Sequence, residues 1–282
     1  MKKFSTLIMV LCLVFLTFAL TACGEKSSKD DSGSSKVDKS SSKTDDSSSK
    51  KKGDSVYKTV ADALEKTMNA KSYDADINTM VKTDLMGMVS EDGLSVNVKA
   101  NALDTDKPEV LSEGQIIYSG YPVDQKNYFD GEWNYMADGY KSRCTLEEFA
   151  QQCGGPQYIL TELPESLFKD AESKKDGDIL KVTLTIDEEI FEELYKEDVT
   201  DVVYDVVGPD LSQAVTKDAT IEITVADGYI RDYKVSFVCE ITAGSDKVTY
   251  DATRFVEFFS CDKDVKVEAP ENLEEYYELD WG

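Results

Sequence analysis

The chain has 282 residues, with 31 Lys+Arg against 56 Asp+Glu, six cysteines and no histidine. A net charge of −25 repels nucleic-acid phosphates and argues against a DNA or RNA role. The missing histidine removes Ser-His-Asp and Cys-His catalysis, His-based zinc sites and the commonest general base.

At the N-terminus, Lys2 and Lys3 precede an apolar run from Leu7 to Leu20, followed by Leu20-Thr21-Ala22-Cys23. The run is roughly 14 residues, short of the ~20 that a membrane-spanning helix needs, so it reads as an export signal over residues 1–22. The closing four residues resemble a bacterial lipobox. That resemblance implies cleavage after Ala22, a diacylglyceryl group on the Cys23 thiol, and a protein lipid-anchored on the extracytoplasmic face of the cell membrane. Two acyl chains supply the two signals that stable anchoring requires. An ordinary secretory signal with an accidental cysteine is the other reading.

From Gly24 to Asp54 the composition turns to Ser, Lys and Asp, with Val37 the only sizeable apolar side chain. Such a segment buries nothing that offsets its chain entropy, so residues 23–54 are expected to be a lipidated, disordered tether. Ten of the basic and seven of the acidic residues precede Ser55, which leaves 21 against 49, a net of −28, for residues 55–282. This acidic remainder is expected to form one folded domain. No Asp-x-Asp-x-Asp-Gly calcium loop, Gly-x-Ser-x-Gly elbow or phosphate-cradling glycine loop is present, and no pair can be singled out among 49 carboxylates. The expectation is therefore a protein that is not an enzyme and holds no metal and no cofactor.

The domain should open on an amphipathic helix capped by Asp54 or Ser55, with Val56, Val60, Leu64 and Met68 on one face. Alternation over Tyr73-Ala75-Ile77-Thr79-Val81 and over Leu94-Val96-Val98-Ala100-Ala102 predicts antiparallel strands wetted on one side. At Asp130-Gly131 a two-residue turn would set Phe129 against Glu132 and Tyr128 against Trp133, with Tyr128, Trp133 and Tyr135 on one face.

Thr145-Leu146-Glu147-Glu148 has the form of a capping box and Gly154-Gly155 supplies a stop, so a short helix should separate Cys144 from Cys153. Its ~13 Å length disfavours a bridge between those two; Cys144, Cys153, Cys239 and Cys261 otherwise allow three disulfide pairings or remain buried thiols. Residues Tyr158 to Phe168, broken by Pro164, read as a short helical or irregular segment. A strand over Leu180-Val182-Leu184-Ile186 leads into a helix from Asp187, with Ile190, Phe191, Leu194, Tyr195, Val199, Val202, Val203 and Val206 at helical spacing. Asp187, Glu188 and Glu189 at its start complement the helix dipole.

Around Asp227-Gly228, a two-residue turn would put Ile221 and Ile223 opposite Lys234 and Asp232. A three-residue loop is therefore preferred, pairing Val225 with Tyr229, Ile223 with Arg231 and Ile221 with Tyr233. The apolar face then continues through Val235, Phe237, Cys239 and Ile241.

The opening helix, the curved sheet, the Tyr-Phe-Asp-Gly-Glu-Trp-Asn-Tyr hairpin at 128–135, the middle helices and the Asp-Gly-Tyr-Ile strand start at 227–230 together resemble uncharacterised lipoproteins of low-GC Gram-positive bacteria. These are identified with the family labelled DUF6612, similar in plan to LolA, LppX and LprG. The resemblance implies an α+β fold: an unclosed half-barrel of antiparallel strands wrapped around helices, whose concavity in characterised relatives holds lipid or acyl chains. It carries over no binding residue, and the acidic surface and four cysteines depart from the transport members.

Two readings of function follow. In one, a non-enzymatic module binds a lipid or other apolar small molecule between sheet and helices. Its lining would be Tyr128, Trp133, Tyr135, Val182, Leu184, Ile221, Ile223, Tyr233, Val235 and Phe237. In the other, a structural or protein-interaction lipoprotein has a packed concavity. A cell-wall carbohydrate module or hydrolase is a third reading, for which an exposed Trp133 would be the sign.

Overall fold

The structure, a computed structural model, describes residues 47–153, 155, 160–187, 190–191, 214–243 and 246–279. The predicted signal, Cys23 and residues 24–46 of the tether lie outside it, as does most of the predicted helix beyond Phe191. Helix α1 spans Ser47–Met68. It begins seven or eight residues before the predicted cap at Asp54 or Ser55, because periodicity marks only where apolar residues start, while lysine is itself a good helix former. Val56, Val60, Ala63, Leu64 and Thr67 are buried, whereas Met68 is 44% exposed and leaves the predicted face.

Twelve strands follow: β1 Tyr73–Leu85, β2 Met88–Asn101, β3 Glu109–Tyr118, β4 Tyr121–Phe129, β5 Trp133–Met136, β6 Tyr140–Arg143, β7 Glu172–Asp176, β8 Ile179–Thr185, β9 Ala214–Ala226, β10 Tyr229–Ala243, β11 Asp246–Cys261 and β12 Tyr277–Glu278. Between β6 and β7 lie α2, Leu146–Cys153, and a 3-10 helix, Glu165–Asp170, which starts after Pro164. The strands form one sheet in the order β12-β6-β5-β4-β3-β2-β1-β11-β10-β9-β8-β7. All pairs are antiparallel except β12 with β6, and β7 and β12 do not meet, so the curved sheet is unclosed. The predicted class, an α+β protein built on an open, curved antiparallel sheet, is what the chain forms.

The β9–β10 hairpin corrects the expected loop. Asp227 and Gly228 both take positive φ, and Tyr229 pairs with Ala226, so the turn has two residues. The apolar phase is restored by a bulge at Arg231: Ile230 pairs with Val225, but beyond it Tyr233 pairs with Ile223 and Val235 with Ile221. The N–H of buried Ile230 donates to the Thr67 hydroxyl of α1 at 2.8 Å, and that hydroxyl donates to the Ala63 carbonyl at 2.7 Å. A helix side chain thus satisfies the backbone group beside the bulge.

The β4–β5 register also differs from expectation. Tyr128 pairs with Tyr135 and Phe129 with Asn134, so each partner lies two residues beyond the predicted one and the faces are kept. The cause is the Asp130 carboxylate, which accepts the N–H groups of Glu132 at 3.0 Å and Trp133 at 2.8 Å and centres the turn on Gly131-Glu132. Gly131 sits at φ +98°, and a Cβ there would lie 3.2 Å from Lys107 Cα.

The capping box forms as expected. Glu148 Oε2 accepts the Thr145 N–H at 2.7 Å, and the Glu148 N–H donates to the Thr145 hydroxyl at 3.1 Å. Helix α2 therefore stands between Cys144 and Cys153, and among the described residues no cysteine is in a disulfide.

Candidate functional site

The concave face divides into a filled half and a hollow half. In the filled half, α1 and the 3-10 helix lie over β8, β9 and β10. Val182, Leu184, Ile221, Ile223, Tyr233, Val235 and Phe237 are each at most 3% exposed there, packed as continuous core. Phe191 comes down on Phe237 with ring centroids 4.8 Å apart, and Tyr57 of α1 meets Phe168 edge-on at 5.3 Å. These seven predicted lining residues lie together, but among the described residues they pack as core and border neither of the two cavities found. Side chains from the helices fill the space above them.

The hollow half lies between the C-terminal end of α1, helix α2 and the first three strands. A cavity of about 390 Å³ opens there. Its floor is Tyr73, Val98, Val110 and Phe258 from β1, β2, β3 and β11. One wall is Leu146, Phe149, Ala150 and Cys153 of α2, and the other is Thr67, Met68, Asn69 and Ala70 at the end of α1. Leu103, Asp104, Gly155 and Leu160 complete it. The local sequence explains the hollow: Ala70 and Ala150 place small side chains where the two helices face each other across it. The capping box fixes where α2 begins, and the Ser112 hydroxyl, donating to the Cys153 carbonyl at 2.9 Å, ties its end to β3.

Asp104 is the one lining residue with an ionised side chain at neutral pH, and it is held outside by Lys71 at 2.8 Å, with both side chains exposed. The Lys71 ammonium, hydrogen-bonded to it, keeps the Asp104 carboxyl below its usual range. Inside, burial pushes the Cys153 thiol and the Tyr73 hydroxyl well above their usual values, so both stay protonated and neutral near pH 7. The lining offers apolar surface and uncharged polar groups, with no thiolate to act as nucleophile. Among the described residues, no group of three His, Cys, Asp or Glu side chains is placed to hold a metal ion.

None of the ten predicted lining residues borders this cavity. Tyr128, Trp133 and Tyr135 do share a face, but it is the outer one. Successive strand residues point oppositely, so Phe129 turns inward onto Phe149, at 5.3 Å, while Tyr128 and Leu111 turn outward. The segment from Val265 to Tyr277 covers this outer cluster, with Tyr276 edge-on to Tyr135 at 5.3 Å and β12 hydrogen-bonded along β6. Trp133 is half-buried, with the Arg143 guanidinium 4.7 Å and the Lys141 ammonium 5.0 Å from its ring. The open aromatic platform that a carbohydrate module would show is therefore absent at Trp133. Adjacent aromatics at Tyr128-Phe129 were the available signal, because a strand apolar on both sides is covered on both faces.

No protein-family model matches the chain, and no match to a curated protein was found. Among solved structures, the chain is similar to LprF from Mycobacterium bovis, at 11% identity and TM-score 0.39, over 77% of this chain and 97% of that one. It is also similar to a LolA-superfamily protein from Nitrosomonas europaea, at 11% identity and TM-score 0.21, over 79% and 96% of the two chains. TM-scores below 0.5 carry no weight for fold or ligand, and the fold described above stands on its own strand order. Among the described residues no helix is long and apolar enough to cross a membrane.

Proposed function

We propose that this chain is a non-enzymatic extracytoplasmic lipoprotein, anchored through Cys23, that takes one acyl chain or similarly shaped apolar ligand into the cavity between α1, α2 and the sheet. The observation that carries the reading is the cavity itself. Its volume of about 390 Å³ falls within the ~300–1,000 Å³ usual for small-molecule sites, and its walls are mainly Val, Leu, Phe and Ala. Burying an aliphatic chain there removes apolar surface from water at ~25 cal/mol per Å² without desolvating a charge. The exposed Lys71–Asp104 pair at the rim leaves room for a polar headgroup in water.

Titrating the full chain with a fluorescent fatty acid tests this. Saturable binding of one molecule per chain, displaced by unlabelled fatty acid, is the expected result. Absence of saturable binding would favour the packed, structural reading that the other half of the concavity fits.

A further inference from the structure

Sequence and topology together mark a second surface, at the far end of the sheet from the cavity. The cavity sits where β1 begins, at Tyr73. The β1–β2 hairpin turns at Met86-Gly87, thirteen residues on, which at ~3.3 Å per residue is roughly 40 Å away. The β3–β4 hairpin turns on the same end of the sheet, against β2 a few residues short of that tip, with the Gly120 N–H donating to the Glu91 carbonyl at 2.7 Å and the Ser119 N–H to Asp92 at 2.7 Å.

In a chain of which 31% is charged, neither apex carries a charge: Leu85-Met86-Gly87-Met88-Val89-Ser90 and Gln115 through Val123 are both free of Asp, Glu, Lys and Arg. Six of the twelve exposed large apolar side chains among the described residues are at these two turns. They are Leu85, Met86 at 68% exposure, Met88 at 67%, Val89, Tyr121 at 76% and Val123. Hairpin apices ordinarily carry polar turn residues, so two adjacent apolar ones form a patch of the kind that marks an interaction surface. Just behind stand Asp84 and Glu91, both exposed, and Asp92; Asp84 accepts the Gly87 N–H at 2.8 Å and Asp92 the Ser119 N–H at 2.7 Å, so two of the three are tied to a turn.

We infer that these two apices dip into the interface of the bilayer that holds the lipid anchor, so that the domain stands on its hairpin tips with the cavity facing away. The anchored end of the chain arrives from this side. Helix α1 runs from Ser47, through Tyr57 on Phe168, to Lys66 over the ring of Tyr229 at the cavity end, so its N-terminus lies away from the cavity. The 24 residues from Cys23 to that helix reach up to about 80 Å when extended, ample to let the tips touch the same membrane. Methionine, valine and leucine bury in the acyl boundary, and tyrosine favours the headgroup level. A second copy is a poorer occupant, because two domains each of net charge −28 repel, whereas a zwitterionic bilayer surface does not.

This inference rests on the proposed anchor at Cys23 for its orientation, and the test separates the two. Tryptophan reporters Met86→Trp and Tyr121→Trp, with Phe259→Trp at the cavity end as control, are each placed singly in a full chain whose Trp133 and Trp281 are changed to Phe. The acylated protein is reconstituted in phosphatidylcholine vesicles with brominated acyl chains, alongside a version held by a hexahistidine at residue 23 on nickel-chelating lipid. The expected result, in both versions, is a blue shift and loss of emission at 86 and 121 and no change at 259. Vesicle-held protein with all three reporters unquenched overturns the inference while leaving the cavity untouched. So does shielding of the tip reporters in a dimer that forms without vesicles. A missing acyl group on Cys23 overturns the anchor alone, since the nickel-held version still reads the tips.

Discussion

Filling the cavity and overfilling the core should have opposite signs. Ala150 faces the cavity from α2, and Ala150→Phe directs a ring into space that is already there. Burying a phenyl group contributes about 1.5–3 kcal/mol, against a helix-propensity loss of up to ~0.7 kcal/mol, so stability should hold or rise by about 1–2 kcal/mol. Val235 lies in the filled half, 1% exposed, opposite Ile221 and away from the cavity. Val235→Trp must therefore displace packed neighbours and should cost about 1–3 kcal/mol. Urea denaturation reads both. At slopes of ~1–3 kcal/mol/M the midpoints should separate by roughly 1 M or more, with the slope unchanged. Fatty-acid binding should disappear in Ala150→Phe and persist in folded Val235→Trp. A loss of stability in Ala150→Phe as large as that in Val235→Trp would show that the cavity is filled, and the reasoning would fail.

Other consequences are equally accessible. Cys23→Ser should release the protein from membranes and abolish incorporation of an acyl label, measured by fractionation; a wild type that stays membrane-bound without label would end the lipoprotein reading. Thr145→Ala removes the hydroxyl that accepts the Glu148 N–H and should cost about 0.5–2 kcal/mol in a denaturation midpoint, with no change marking the cap as idle. Stability should also fall in alkali. Burial raises the Cys144 thiol from 9.0 to about 11, the Cys261 thiol from 9.0 to about 12 and the Tyr135 hydroxyl from 10.0 to about 12, so above pH 9 the unfolded chain releases protons that the folded chain keeps. Stability at fixed urea should therefore be insensitive to these groups below pH 9 and decline from pH 9 to about 12; a rise over that window would contradict the burial of these groups.

What the sequence made legible was local or periodic. The capping box at Thr145 needs four residues in a row, and the apolar face through Ile221, Ile223, Tyr233 and Val235 survives any pairing that keeps its alternation. Register was hidden because distant or side-chain groups set it. The bulge at Arg231 is accompanied by a hydroxyl from Thr67, 163 residues before the Ile230 N–H it accepts, and the β4–β5 turn by the carboxylate of Asp130. The cavity was hidden for a related reason. The strongest apolar stripes mark the best-packed core, whereas a cavity lies where small residues leave a gap, and Ala70, just past the end of α1, and Ala150 of α2 leave no pattern along the chain. The outer position of Tyr128 and Tyr135 depended on the Val265–Tyr277 segment, to which strand alternation gives no address.

The most direct measurement is native mass spectrometry of the full chain purified from a bacterial host, compared with Ala150→Phe. The account predicts a population of wild-type protein carrying one additional lipid-sized mass, released on denaturation and missing from the variant. Wild-type protein at its bare mass, still so after incubation with excess fatty acid, would contradict it.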